Sequence, residues 1–115
     1  MDLKNLNDSI QFSATGLSKK VVFDTPKVLC FVLSLMPGQT IPEHRHEQSA
    51  LTITVLKGHG QARVNGKVVM LGLDAILYLD GQDAFGISLV EENLAMLVTV
   101  SPNPESKVFS QEVNG

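Results

Sequence analysis

The run VLCFVLSLM, Val28 to Met36, is stopped by Pro37-Gly38, and a short apolar stretch cut off by a turn signal recurs along most of the chain. KKVVFDT ends at Thr25-Pro26. LTITVLKG sets Leu51, Ile53 and Val55 against Thr52 and Thr54, the period-two pattern of a strand with one buried face. QARVNGKVVML carries Asn65-Gly66, a hairpin dipeptide whose two central positions need φ > 0. Gly72 and Asp74 punctuate before AILYL, and Asp80-Gly81 turns the chain again. Phe85, Ile87 and Leu89 alternate with Gly86 and Ser88, and NLAMLVTV puts Leu94, Met96, Val98 and Val100 on one face. Gly58-His59-Gly60 reads as a further turn, and Glu91-Glu92-Asn93 as a solvated one between strands. About eight or nine strands spaced this way predict an all-β sandwich or barrel. Only the first fifteen or so residues leave room for a helix, a short one.

The run from Val28 to Met36 says more than that it is a strand. Leu29, Phe31, Leu33 and Leu35 form one apolar face, while Val28, Cys30, Val32, Ser34 and Met36 form another that is still too apolar for open water. A second sheet or a partner chain is therefore expected over it. With 115 residues the chain suits one domain, large enough to bury a core without staples. We divide it into an N-terminal segment, 1–19, able to serve as a dimer arm, a barrel over 20–101, and a polar tail over 102–115. The expected partner is a second copy, giving a homodimer.

Charge and composition exclude several functions. A net charge of -3 without a block of Lys or Arg makes nucleic acid and anionic membranes poor partners. No apolar run approaches the roughly 20 residues of a membrane span, and the N-terminus MDLKNLNDSIQF lacks the apolar core of a signal peptide. A cytoplasmic protein is expected. The single cysteine, Cys30, cannot form an internal disulfide or a thiolate zinc site, and its place mid-strand among Leu29, Phe31 and Val32 suits packing better than nucleophilic chemistry. No Gly-x-Ser-x-Gly elbow and no phosphate loop are present. Turn chemistry accounts for Asp80 and Asp83.

The stretch from Gly38 to Gly60, GQTIPEHRHEQSALTITVLKGHG, resembles the first motif of the cupin superfamily, small β-barrels of jelly-roll or double-stranded β-helix type. Gly38 opens the motif, His44 and His46 fall at its two histidines, and Gly58 closes it, followed by the hairpin Val64-Asn65-Gly66-Lys67. Leu71-Gly72-Leu73-Asp74-Ala75 and Gly81 resemble the frame of the second motif, so the likeness spans roughly Lys20 to Val100. The resemblance implies one divalent metal (Fe, Mn, Ni or Zn) held by three histidines and a glutamate. Here the glutamate position falls on Leu51, the third histidine on Ala84 or Phe85, and the proline of the second motif is replaced by Leu79 or Asp80.

Two of the four donors remain. His44 and His46, at i and i+2 on a strand, point the same way and can converge on one cation. Protein metal sites usually supply at least three ligands. Glu43 has the opposite parity, His59 lies at the far end of a strand, and Glu47 or Gln48 could complete the set only if the loop after His46 curls back. Without that, the histidines are a polar pair at a cavity mouth, bonded to each other, to water or to a bound acid. Leu51 and Phe85 then turn a polar pocket apolar.

Two functions compete. In the first, a binding module holds a small molecule among Leu51, Ile53, Phe85 and Met96, its polar end oriented by His44, His46 and Gln48. In the second, a metal-dependent enzyme of dioxygenase, isomerase or decarboxylase type uses His44 and His46 as metal ligands. A metal-free sugar epimerase, as found in this superfamily, lacks an Asp partner for its histidine and a basic residue for a sugar nucleotide.

Overall fold

The computed structural model of the protein describes residues 1–104 and 112–114. Among the described residues there are eight strands and one short 3-10 helix: β1 (Ser18–Asp24), β2 (Leu29–Leu35), β3 (Ile41–His44), β4 (Ala50–Val64), β5 (Lys67–Leu71), β6 (Ile76–Leu79), β7 (Phe85–Ser101) and β8 (Val113–Asn114), with the helix at Leu6–Ser9. The helix is capped by the Asn5 side chain, which accepts from the Asn7 N–H. All pairings are antiparallel, in the order β5-β4-β7-β2-β1-β8, with β3 beside β7 and β6 beside β4. The sheet rolls around one core drawn from β2, β4, β5, β6 and β7, in which Leu29, Leu35, Ile53, Leu94, Met96 and Val100 are almost completely buried. This is the all-β barrel that the alternation predicts.

The two faces of β2 separate as their parity requires. Leu29, Phe31 and Leu35 enter the main core, and Leu33 packs against it. Cys30 and Val32 join Val22 in a second cluster on the outside of the sheet, roofed by Leu6 and Ile10 of the N-terminal segment together with Phe23, Leu56 and Leu97. The chain thus covers with its own first residues the face that called for a second sheet or partner. Strand β1 begins at Ser18 and β7 ends at Ser101. Of the expected tail, residues 105–111 and 115 lie outside the described set. Its described end lines β1 as β8, and the Glu112 carboxylate accepts the Val21 N–H at 2.8 Å.

Two expected turns are corrected. Strand β4 runs unbroken through Gly58-His59-Gly60, and β7 runs unbroken through Glu91-Glu92-Asn93. The two segments lie opposite each other, His59 paired with Glu92, where the register slips several times in succession. They form a bulged bend in one long ladder. Gly58 is required there: its φ is +74°, and a Cβ would stand 2.0 Å from the Asn93 carbonyl oxygen. His59 sits on the outer surface, its ring nitrogens 3.6 Å from Glu91 and 3.3 Å from Glu92.

Candidate functional site

The site lies at the end of the barrel where β3 gives way to the turn before β4. His44 is the last residue of β3 and pairs with Phe85 of β7. The chain then turns, the Ser49 N–H donating to the His46 carbonyl at 2.9 Å. The two imidazoles face the same side, ring centroids 4.6 Å apart and planes tilted by 53°. Their loop is tacked down on several sides. Arg45 projects the other way and donates through Nε to the Gln82 carbonyl at 2.9 Å. The Ser49 hydroxyl donates to the Pro102 carbonyl at 2.6 Å. Gly81 presses so closely that a Cβ there would meet the His46 carbonyl oxygen at 2.5 Å. The 80–84 turn is itself fixed by Asp80 and Asp83, which accept backbone N–H groups of Gln82 and Asp80.

A cavity of about 180 Å³ opens between these histidines and the barrel interior. Its depth is carbon: Leu51, Ile53, Phe85 and Val98 are each nearly fully buried, with Phe31 and Leu33 of β2 alongside. Its polar side is made by His44, His46 and Lys19. Lys19 is held with Nζ 4.3 Å from the centroid of the Phe31 ring, over its face, and is half-buried. Burial lowers the Lys19 pKa from its ordinary value. His46 is pushed down from 6.5 to about 4, first by burial, then by the positive charges of His44 and Lys19. His44 Nδ1 lies 3.0 Å from the Pro42 carbonyl. A carbonyl only accepts, so that nitrogen carries the hydrogen.

The sequence-predicted residues divide. Leu51, Ile53, Phe85, His44 and His46 line the one cavity. Gln48 does not: it is exposed, in a shallow depression with Glu47, Tyr78 and Asp80 on the outside. Met96 has the inward parity but is sealed in the core, with no share in the cavity wall. Of the two positions open for the third histidine, Phe85 faces the cavity, while the Ala84 N–H donates to the Asn65 side chain. Glu43 points away and accepts the Gly66 N–H at 2.8 Å. Lys19 was not among the expected residues. Its signal is parity, since it stands between Leu17 and Val21, both packed against the core.

The donor set does not fit a resident divalent metal. Among the described residues no three His, Cys, Asp or Glu side chains converge, and neither Glu47 nor Gln48 reaches the cavity. Two imidazoles fall short of the three protein ligands that hold such ions. Leu51 and Phe85, 3% and 4% exposed, present carbon to the cavity beside the histidines, a burial worth roughly 1.5–3 kcal/mol each.

Comparison with known proteins agrees with this architecture. The Cupin domain family matches residues 31–101, well over half the chain. Among curated proteins none matches the sequence significantly. An RmlC-like cupin protein from Desulfovibrio desulfuricans is 25% identical, with a TM-score of 0.79 over 89% of this chain and 97% of that one. The TT1209 protein from Thermus thermophilus is 24% identical, with a TM-score of 0.82 over 90% and 100% of the two chains. An uncharacterized protein with a double-stranded β-helix domain from Klebsiella pneumoniae is 22% identical, with a TM-score of 0.83 over 92% and 94%. By its matched domain and its barrel, the chain belongs to the cupin family.

Proposed function

We propose that this cupin is a binding module that takes a small molecule with a mostly carbon body into the barrel cavity. One observation carries the reading: a cavity of about 180 Å³ lined by buried Leu51, Ile53, Phe85 and Val98, whose nitrogen-bearing side chains, His44, His46 and Lys19, are exposed or half-buried. A dry apolar cavity of roughly 150 Å³ is enough to hold benzene, so the space suits one ring or a short branched chain. It is well below the roughly 300–1,000 Å³ of drug-sized pockets, which disfavours a sugar nucleotide. The metal-dependent enzyme has two of its four donors, and no side chain among the described residues adds a third.

Titration with benzyl alcohol, followed by methyl NMR, tests the reading. Saturable shifts concentrated on Leu33, Leu51, Ile53 and Val98 are expected. Unsaturated shifts, or shifts spread over the outer surface, refute it.

We also propose that two copies pair. Val68 and Met70 of β5 and Ile76 and Tyr78 of β6 point outward, and each is more than half exposed. These two edge strands lie end to end along β4, and the stripe continues the same outer surface that the N-terminal segment roofs over β2. An uncharged, edge-bearing apolar stripe can pair with its own copy about a twofold axis. Sedimentation should show a dimer that Met70→Lys with Tyr78→Lys dissociates; a wild-type monomer at micromolar concentration overturns this.

A further inference from the structure

We infer that the occupant of the cavity carries a carboxylate on its apolar body, and that Lys19, flanked by His44 and His46, holds that carboxylate at the mouth. The inference rests on the binding reading above and adds the chemical class of the ligand.

The arrangement of the walls points to it. Three nitrogen-bearing side chains, all exposed or half-buried, reach the cavity from separate pieces of chain: Lys19 from β1, His44 from β3 and His46 from the turn that follows. No Asp or Glu lines the cavity among the described residues. The Lys19 ammonium therefore offers hydrogen-bond donors and positive charge to whatever enters, with the two imidazoles beside it and a buried lining of Leu51, Ile53, Phe85 and Val98. A ligand matching both must be amphipathic, with its acceptor or anionic end outermost.

The position of Lys19 strengthens this. Its ammonium is fixed against the Phe31 ring face rather than swinging in solvent, so less side-chain entropy is lost when it binds an anion. An ammonium has three donors, so it can take a carboxylate oxygen alongside the contacts it already makes. The electrostatics agree with the geometry, because His46 feels both His44 and Lys19 as positive neighbours.

A carboxylate fits better than a phosphate. Among the lining residues there is no Arg fork, helix N-terminus or glycine loop to surround a multiply charged, heavily hydrated group. Arg45, the nearest guanidinium in sequence, donates to the Gln82 carbonyl outside the cavity.

The test compares isosteres on the intact protein by calorimetry and methyl NMR, using benzoate, benzyl alcohol and phenyl phosphate. Benzoate is expected to bind at least tenfold more tightly than benzyl alcohol, and its advantage should shrink as salt is added. Lys19→Met is expected to erase that advantage, so that the benzoate-to-benzyl alcohol affinity ratio collapses; Lys19→Arg should restore most of it. If a Lys19 variant fails to fold, the salt dependence of the wild-type benzoate-to-alcohol ratio still decides. Equal binding of benzoate and benzyl alcohol overturns the inference and leaves the cavity reading intact. Binding of neither overturns both. Tighter binding of phenyl phosphate than of benzoate overturns the choice of carboxylate.

Discussion

Removing the His46 imidazole should flatten the acid limb of the stability curve. In the folded chain its pKa falls from 6.5 to about 4, through burial, then His44, then Lys19. As pH drops, the unfolded chain takes up this proton before the folded one does. The stability contributed is therefore complete above about pH 6.5 and is lost as pH falls towards 4. At about 1.36 kcal/mol per pH unit the ceiling is roughly 3.4 kcal/mol. His46 is only partly buried, and solvent screening brings the expected effect to about 1–2 kcal/mol. In urea that is a midpoint shift of roughly 0.5–1.5 M for a domain of this size. Urea unfolding of the wild type and of His46→Gln, measured from pH 7.5 to 4.5, isolates the residue, since carboxylates and the other histidines titrate in both. The difference in unfolding free energy between the two proteins should move by that amount, against the wild type, as pH falls. Parallel curves, or a wild type that gains on the variant below pH 6, would refute the placement of His46 in an apolar, positively charged wall.

Three further outcomes are expected. Gly58→Ala should destabilise by more than the roughly 1–2 kcal/mol of a left-handed non-glycine residue, because its Cβ also strikes the Asn93 backbone; thermal unfolding measures it. Leu51→Glu with Phe85→His should bind zinc or nickel with a metal-dependent rise in melting temperature, and should melt below the wild type without metal because a buried carboxylate is then unpaired; no metal-dependent rise would show that the two positions do not converge with the histidines. Gly81→Ala should push the His46 carbonyl outward and weaken benzoate binding several-fold while circular dichroism stays unchanged.

Local pattern made most of the barrel legible, and the exceptions share a cause. Period two assigned both faces of β2 and both faces of the first half of β4, because parity is a property of consecutive residues. Parity also places a residue on a face without giving its depth, which is why Met96 and Ile53 look alike in sequence although one is sealed in the core and the other meets the cavity. Gly58-His59-Gly60 and Glu91-Glu92-Asn93 each look like a turn in isolation. Only their mutual pairing, more than thirty positions apart in sequence, makes them one bend. The face of β2 plainly needed cover, but nothing local says that Leu6 and Ile10 of the same chain supply it. At the site, register points His44, His46, Leu51, Ile53 and Phe85 inward, and all five line the cavity. Gln48 was placed by proximity in sequence, and the turn from His46 to Ser49 carries it outside. Alternation with Leu17 and Val21 gives the face of Lys19, but nothing local says that a cavity lies beside it.

Strands β4 and β7 pair from Val64 with Phe85 at one end to Ala50 with Ser101 at the other. At the near end Asn65 is bound to the facing loop three times, through its N–H to the Ala84 carbonyl, its Oδ1 to the Ala84 N–H and its Nδ2 to Asp83. Closing the chain there costs the least loop entropy, and each later rung spans a longer loop. Assembly should therefore begin at Asn65 and zip outward, and so many distant pairings place the domain among slow folders, on a scale of roughly milliseconds to seconds.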